Sequence, residues 1–225
     1  GDFPRNVMVS PLSGVEQGEY FDVLPYAEAA GEYLLTFIKA EKMPRKLKVG
    51  FSNSPANQTH ATFRDLGFVA RPDGTFDVYS AGGLGNNPRM GLQVAQGVSP
   101  SKILYYICAM RDTFIAYGNY ETFIAHGNYK QRGRARTRYM QETLGEEGYV
   151  KAYQEKLKAV FERHNDLDLN ITPTSIAKKG DGSTAEGKRV IPQKQDGLYA
   201  VQYHPLGGCP APSKLGGLDD VIRDM

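Results

Sequence analysis

The 225-residue sequence has no tryptophan and only two cysteines, Cys108 and Cys209. Two cysteines make no disulfide framework, and a reducing, cytoplasmic setting is the default for such a chain. Neither they nor the histidines at 60, 126, 164 and 204 show the paired spacing that holds zinc, so no metal site is expected. An excess of one charge is missing too. The formal net charge of +2 implies neither nucleic acid nor membrane as a partner. No apolar run approaches the roughly 20 residues needed to span a bilayer, and the opening GDFPRNVMVS lacks the regions of a signal peptide. The rest is ordinary for a soluble globular protein, with 40% apolar residues, 23% charged residues and 14 tyrosines. This length buries one good core, or one and a half domains. Any electrostatic function must therefore be local.

Periodicity supplies the elements. RNVMVSPLSG is short and extended, closed by Pro11 and Gly14. From about residue 20 to 42, Tyr26, Ala30, Tyr33, Leu34, Phe37 and Ile38 recur at helical spacing, and Pro44 ends the helix. KLKVGFS alternates like a strand. LGFVA and TFDVYSAGG, joined by the turn at residues 71–74, form a β-hairpin. Helices are expected in SPSKILYYICAMRDTFIA, capped by Ser99 or Ser101, in RARTRYMQETL, and over residues 147–163. Residues 165–188 turn polar and read as a linker or long loop; LYAVQYHP is a strand and LDDVIRDM a helix barely begun. Strands alternating with helices around a hairpin imply an α+β (α/β-like) class: a mixed sheet flanked by helices. The division expected is 1–164, a linker at 165–188, and 189–225. The abrupt ends suggest a piece of something larger.

Four tracts carry possible chemistry. GSTAEGKR nearly spells a phosphate loop, but Arg189 stands where a magnesium-binding hydroxyl belongs, and no strand precedes or helix follows. It is a chance match. In AGGLGNNPRMG, Gly82, Gly83 and Gly85 would let backbone approach a ligand and Arg89 could meet an anion, while a plain tight turn is equally open. KQRGRARTRY carries five cations in nine residues. On a helix, Arg134 and Arg138 share one face, and Arg132 and Arg136 form a second row. Such a run is usually a solvated face or a phosphate contact, and a ligand with many carboxylates would need the same feature. Aromatics are not interleaved as RNA readers require, so no nucleic-acid partner is expected. In PRKLK, a strand start would project Lys46 and Lys48 from one face, Arg45 and Leu47 from the other. Taken alone, such a pair is more often an exposed strand start. If real, two adjacent ammonium groups lower each other's proton affinity, serving a small anion as clamp and proton source.

In order, RNVMVSPLSG, MPRKLKVGFS, FVARPDGTFDVYSAGGLG, RGRARTRYMQETLG and GLYAVQYHPLGG resemble segments of the nitrite and sulfite reductase family. These enzymes carry sirohaem and a [4Fe-4S] cluster. The resemblance implies a sirohaem-binding domain followed by the start of a ferredoxin-like half-domain. It implies that Arg5, Lys46 and Lys48 hold sulfite or nitrite and assist proton delivery during multi-electron reduction. It also implies that Arg45, Gly82, Gly83, Gly85, Arg89, Arg132, Arg134, Arg136 and Arg138 contact the eight carboxylates of sirohaem. Ferredoxin or a flavoprotein would donate electrons, and the rest of a reductase chain would be a partner. The four cluster cysteines of the family are absent, so the isolated chain is expected to be inactive as a reductase. Another reading is a non-catalytic tetrapyrrole or anion-binding module, or a scaffold that has lost its redox centres; an RNA-binding protein ranks lower.

Residues 113–121 and 122–130 match at seven of nine positions. In a continuous helix nine extra residues would leave RGRARTRY about half a turn out of register. One copy is therefore expected to make the turn and the other to loop out, with Gly118 and Gly127 as left-handed helix stops.

Overall fold

A computed structural model describes residues 3–40, 42–118, 135–173, 176–205 and 207–223. The chain divides into two compact units, Gly1–Ile176 and Ala177–Met225. The first is built on a five-stranded mixed sheet ordered β1 (Pro4–Met8), β2 (Leu47–Ser52), β3 (Leu66–Ala70), β4 (Phe76–Ser80) and β5 (Leu92–Val98). The β1–β2 and β2–β3 pairs are parallel; β3–β4–β5 is antiparallel.

Alternation in β2 decides which face becomes core. Leu47, Val49 and Phe51 are fully buried, and Phe51 stacks on its neighbour Phe68 of β3 with ring centroids 4.8 Å apart. Each such side chain contributes about 1.5–3 kcal/mol of burial. Lys48 lies between them in sequence and therefore faces the opposite side. A parallel β1–β2 pair needs a crossover. Helix α1 (Leu24–Ala40) supplies it, burying Ala27, Ala30, Leu34 and Phe37 at helical spacing, and it ends ahead of Pro44.

The second crossover, from β2 to β3, contains a short 3-10 turn, Ala61–Phe63, that lies directly on the sheet. It can do so because β3 carries Gly67: a Cβ there would sit 1.9 Å from the Ala61 carbonyl oxygen. Helix α2 (Ile103–Tyr117) and helix α4 (Glu146–Arg163) pack together, with the Tyr153 hydroxyl donating to the Tyr106 carbonyl at 2.8 Å. No helix among the described residues is long and apolar enough to cross a membrane.

Three expectations need correction. Strand β5 is missing from the sequence reading, because its residues do not alternate cleanly. Its register against β4 slips twice, and Gly97 adopts φ 67° at one of the bulges. RARTRYMQETL is not one helix. Residues 136–138 form a turn, in which the amides of Tyr139 and Met140 reach back three residues, and helix α3 runs only over Tyr139–Leu144. The stretch expected to begin a linker at 165 is instead packed: Leu167 is buried, and the Leu169 amide donates to the Ser101 carbonyl at 2.9 Å. Two isolated leucines in a polar run give no periodicity to read.

Helix α2 ends where the doubled sequence predicts a stop, at Gly118. That residue is not left-handed (φ −78°, ψ 29°); glycine is needed because a Cβ would lie 2.4 Å from the Phe114 ring. The second copy, together with Arg132 and Arg134, lies outside the described residues.

The second unit contains an antiparallel pair, β6 (Val190–Pro192) and β7 (Tyr199–Val201), and helix α5 (Leu215–Arg223). GSTAEGKR runs into β6 rather than a helix, as a chance phosphate-loop match should.

Candidate functional site: a cationic cavity beside the sheet

The sheet face opposite the core meets the 136–138 turn and the glycine loop after β4 around a cavity of about 690 Å³. Lys46 and Lys48 line it, as strand alternation requires, and Leu47 between them is buried in the core. Arg136 and Arg138 come from the turn, and Arg64 from the β2–β3 crossover. Proton affinity responds. The Lys46 ammonium is pushed below the ordinary lysine range, first by the charge of Arg136, then by desolvation, then by Arg5, Lys48 and Arg45.

The arginines are held rather than loose. Arg64 donates through Nε and Nη2 to the Thr59 carbonyl at 2.9 and 2.8 Å, with its guanidinium carbon 5.6 Å from the centroid of the Phe63 ring. Arg138 donates through Nε and Nη2 to the Asn86 carbonyl at 3.2 and 2.9 Å and lies 4.9 Å from the Tyr139 centroid. Planar guanidinium groups fixed by carbonyls and rings lose little further entropy on meeting carboxylates.

Helix α3 grips the glycine loop at both ends. Gln141 Nε2 donates to the Ala81 carbonyl at 2.9 Å and to the Met90 carbonyl at 2.8 Å. Gly83 and Arg89 exchange two backbone hydrogen bonds of 2.9 Å, which close the loop. The demand for glycine here differs from the one expected. A Cβ on Gly82 would lie 2.6 Å from Phe63 Cα and 2.8 Å from the Gly91 nitrogen, so protein backbone, not ligand, occupies that space. Gly85 is required by its φ of 100°. Gly83 has only ordinary contacts, the nearest being Arg138 at 3.5 Å.

Other expected residues stand elsewhere. Arg89 does not line the cavity; its Nη2 lies 3.8 Å from Glu142 of α3. Arg5 is exposed on β1, beside a separate groove against α1, and reaches the cavity through its charge on Lys46. Arg45 is half-buried next to Lys46 and does not line the cavity. Cys108 is fully buried on α2, where Arg111 and Arg163 each place Nη2 3.3 Å from its sulfur. Among the described residues no group of three or more His, Cys, Asp or Glu could hold a metal ion.

Sequence reasoning missed Asp65, on the cavity wall at the start of β3. Its Oδ2 accepts the Lys48 amide at 2.8 Å, and its Oδ1 accepts the Thr137 hydroxyl. Its carbonyl accepts the Ala81 amide at 2.9 Å. Burial pushes the carboxyl up, opposed by the Thr137 and Lys48 hydrogen bonds and by the charges of Lys48 and Arg136. A single acidic residue before an apolar strand carries no spacing signal.

The family described as "Nitrite and sulphite reductase 4Fe-4S domain" matches residues 1–161, a span that includes every described residue of the cavity. The chain belongs to that family. Among solved structures, the NirA protein of Mycobacterium tuberculosis superposes with a TM-score of 0.66 at 23% identity, over 100% of this chain and 38% of NirA. That likeness establishes the fold, a mixed sheet with flanking helices, and the chain spans well under half of NirA's length. No curated protein matches the sequence. The two cysteines of this chain do not by themselves fit a [4Fe-4S] cluster, which takes four.

Proposed function

We propose that this chain forms the part of a sulfite or nitrite reductase that binds the small oxyanion and one side of sirohaem. One observation carries the reading: Lys46, Lys48 and Arg136 share one cavity, and their mutual repulsion lowers the proton affinity of Lys46. A cluster of like charges is costly unless an anion neutralises it. The residues fit sirohaem chemically, because carbonyl-anchored Arg64 and Arg138 present cations to a ligand bearing many carboxylates. When bound, sirohaem would relay electrons from the donor to the anion. The chain's own residues do the rest. Lys48 and Arg136 hold the oxyanion by charge. Lys46, already reluctant to keep its proton, donates it at Nζ to an oxygen of the bound anion. Arg5 adds to the field from the neighbouring strand. Ferredoxin or a flavoprotein is the class of electron donor this reading implies.

Titration of the chain with sulfite and with nitrite, followed by NMR of the Lys46 and Lys48 side chains, tests the reading. Saturable shifts at constant ionic strength are expected, with affinity lowered in Lys46→Met when read at Lys48 and in Lys48→Met when read at Lys46. An equal response to chloride would overturn it.

A further inference from the structure

The cavity's cations come from elements that do not share a helix or a strand. Lys46 immediately precedes β2, Lys48 lies near its start, and Arg136 stands in the turn before α3. Like charges brought together this way push the elements apart, so something must hold them. The hydrogen bonds meet at one side chain. The carboxylate of Asp65 takes the Lys48 amide on one oxygen and the hydroxyl of Thr137, next in sequence to Arg136, on the other. Thr137 is fully buried and cannot turn to water instead. The Asp65 backbone continues the clamp, accepting from the Ala81 amide at the root of the glycine loop.

We propose that Asp65 is the positioning residue of the anion site: its carboxylate pins β2 to the turn of Arg136, so that Lys46, Lys48 and Arg136 face one cavity. This deepens the anion-binding reading and rests on it. An acidic group beside an anion site would ordinarily repel the ligand. Here both carboxylate oxygens are engaged by donors, and the nearby Lys48 and Arg136 offset the charge. Asp65 touches no reacting atom and acts through the residues that do.

The test uses the whole chain and reads the side-chain titration of Lys46 by NMR. Thr137→Val keeps the shape of a buried side chain, changes no charge and deletes one arm of the clamp. Arg136, the largest cause of the depressed Lys46 proton affinity, should then drift away, and Lys46 should titrate closer to an ordinary lysine. Thr137→Ser, which keeps the hydroxyl, should restore the wild-type titration. The groups around Lys46 that could confuse this, Arg5, Arg45 and Lys48, are unchanged in every variant. Sulfite affinity should fall roughly tenfold or more in Asp65→Ala, the scale seen for outer-shell residues that orient metal ligands. In Asp65→Asn the amide can accept from Lys48 and donate to Thr137, so affinity should stay close to wild type. A folded Thr137→Val chain whose Lys46 titrates as in wild type overturns the proposal. So does an Asp65→Ala chain with undiminished affinity. Should Thr137→Val not fold, Asp65→Asn decides: loss of affinity in a folded Asp65→Asn chain refutes positioning by hydrogen bonds. Should the wild-type chain bind neither sulfite nor nitrite, the function reading falls, and the Lys46 titration still tests the clamp.

Discussion

Replacing Gly82 with alanine separates two accounts of the glycine loop. If glycine is there to admit a ligand, Gly82→Ala should weaken binding and leave stability alone. The structure requires the reverse. The new Cβ would lie 2.6 and 2.7 Å from Phe63 Cα and C and 2.8 Å from the Gly91 nitrogen. All three are backbone atoms, so no side chain can rotate away. Relief means separating the loop from the 3-10 turn by several tenths of an ångström. That strains the Gly82 amide bond to the Arg64 carbonyl (3.0 Å) and the Gly91 amide bond to the Thr62 carbonyl (2.8 Å). Overpacking of this kind costs about 1–3 kcal/mol and two weakened hydrogen bonds add about 1 kcal/mol each. The reduced entropy of the unfolded chain returns about 0.4–1 kcal/mol. A net loss of roughly 3 kcal/mol follows, which lowers the melting temperature on the order of 10 °C for a chain of this size. Urea denaturation of the ligand-free chain measures it. Gly83→Ala is the control: the nearest atom is a flexible Arg138 side chain at 3.5 Å, and the change should stay within about 1 kcal/mol. If Gly82→Ala unfolds at the wild-type urea concentration, the packing account is wrong.

Other perturbations have expected outcomes of their own. Lys46→Met should raise the urea midpoint at neutral pH while weakening sulfite binding, since it removes a charge that its neighbours repel; a lower midpoint would contradict this. The same linkage has a pH signature. The folded-state proton affinity of Lys46 lies below the unfolded value of 10.5, so the unfolded chain binds more protons. The stability difference between wild type and Lys46→Met should therefore narrow as pH rises toward that value. Leu167→Ala should cost about 2 kcal/mol, as for a packed leucine, whereas a true linker would show almost nothing. The purified chain should show no sulfite or nitrite turnover with reduced methyl viologen, because it offers two cysteines to a cluster that takes four; turnover would refute that assignment.

Local rules sufficed where one residue pattern controls one element. The PRKLK tract placed Lys46 and Lys48 on a common face because strand alternation is enforced by Leu47 and Val49 on the other. Helix α4 was legible from its apolar stripe, of which Tyr149, Tyr153 and Val160 are buried. The basic run misled for the opposite reason. Its spacing suits a helix, but Thr137 is buried against Asp65 at the cavity wall, and residues 136–138 form a turn that brings Arg136 and Arg138 to the cavity instead of along one helical face. That contact is with a residue 72 positions away, which no window of sequence contains. Arg89 shows the same limit: it reads as a loop cation, and Glu142, 3.8 Å from its Nη2, belongs to a helix that folds over the loop.

The charge distribution explains why these distant contacts matter more than the basic residues themselves. Any solvated helix can display arginines, and most such runs bind nothing in particular. What distinguishes this cavity is that its lining is fixed from within the protein: the Thr59 carbonyl holds Arg64, the Asn86 carbonyl holds Arg138, and the Asp65 carboxylate holds the backbone of Lys48. Arg64 and Arg138, anchored in this way, cannot swing away from the neighbouring charges. Under the proposed anion-binding reading, binding would require little reorganisation, which is the condition for fixed charges to act strongly on a reacting group. The residues to which the proposed reading assigns the chemistry are thus the visible cations. Those that hold these cations in place are neutral or acidic, scattered through the sequence, and recognisable only once the sheet, the turn and the loop have come together.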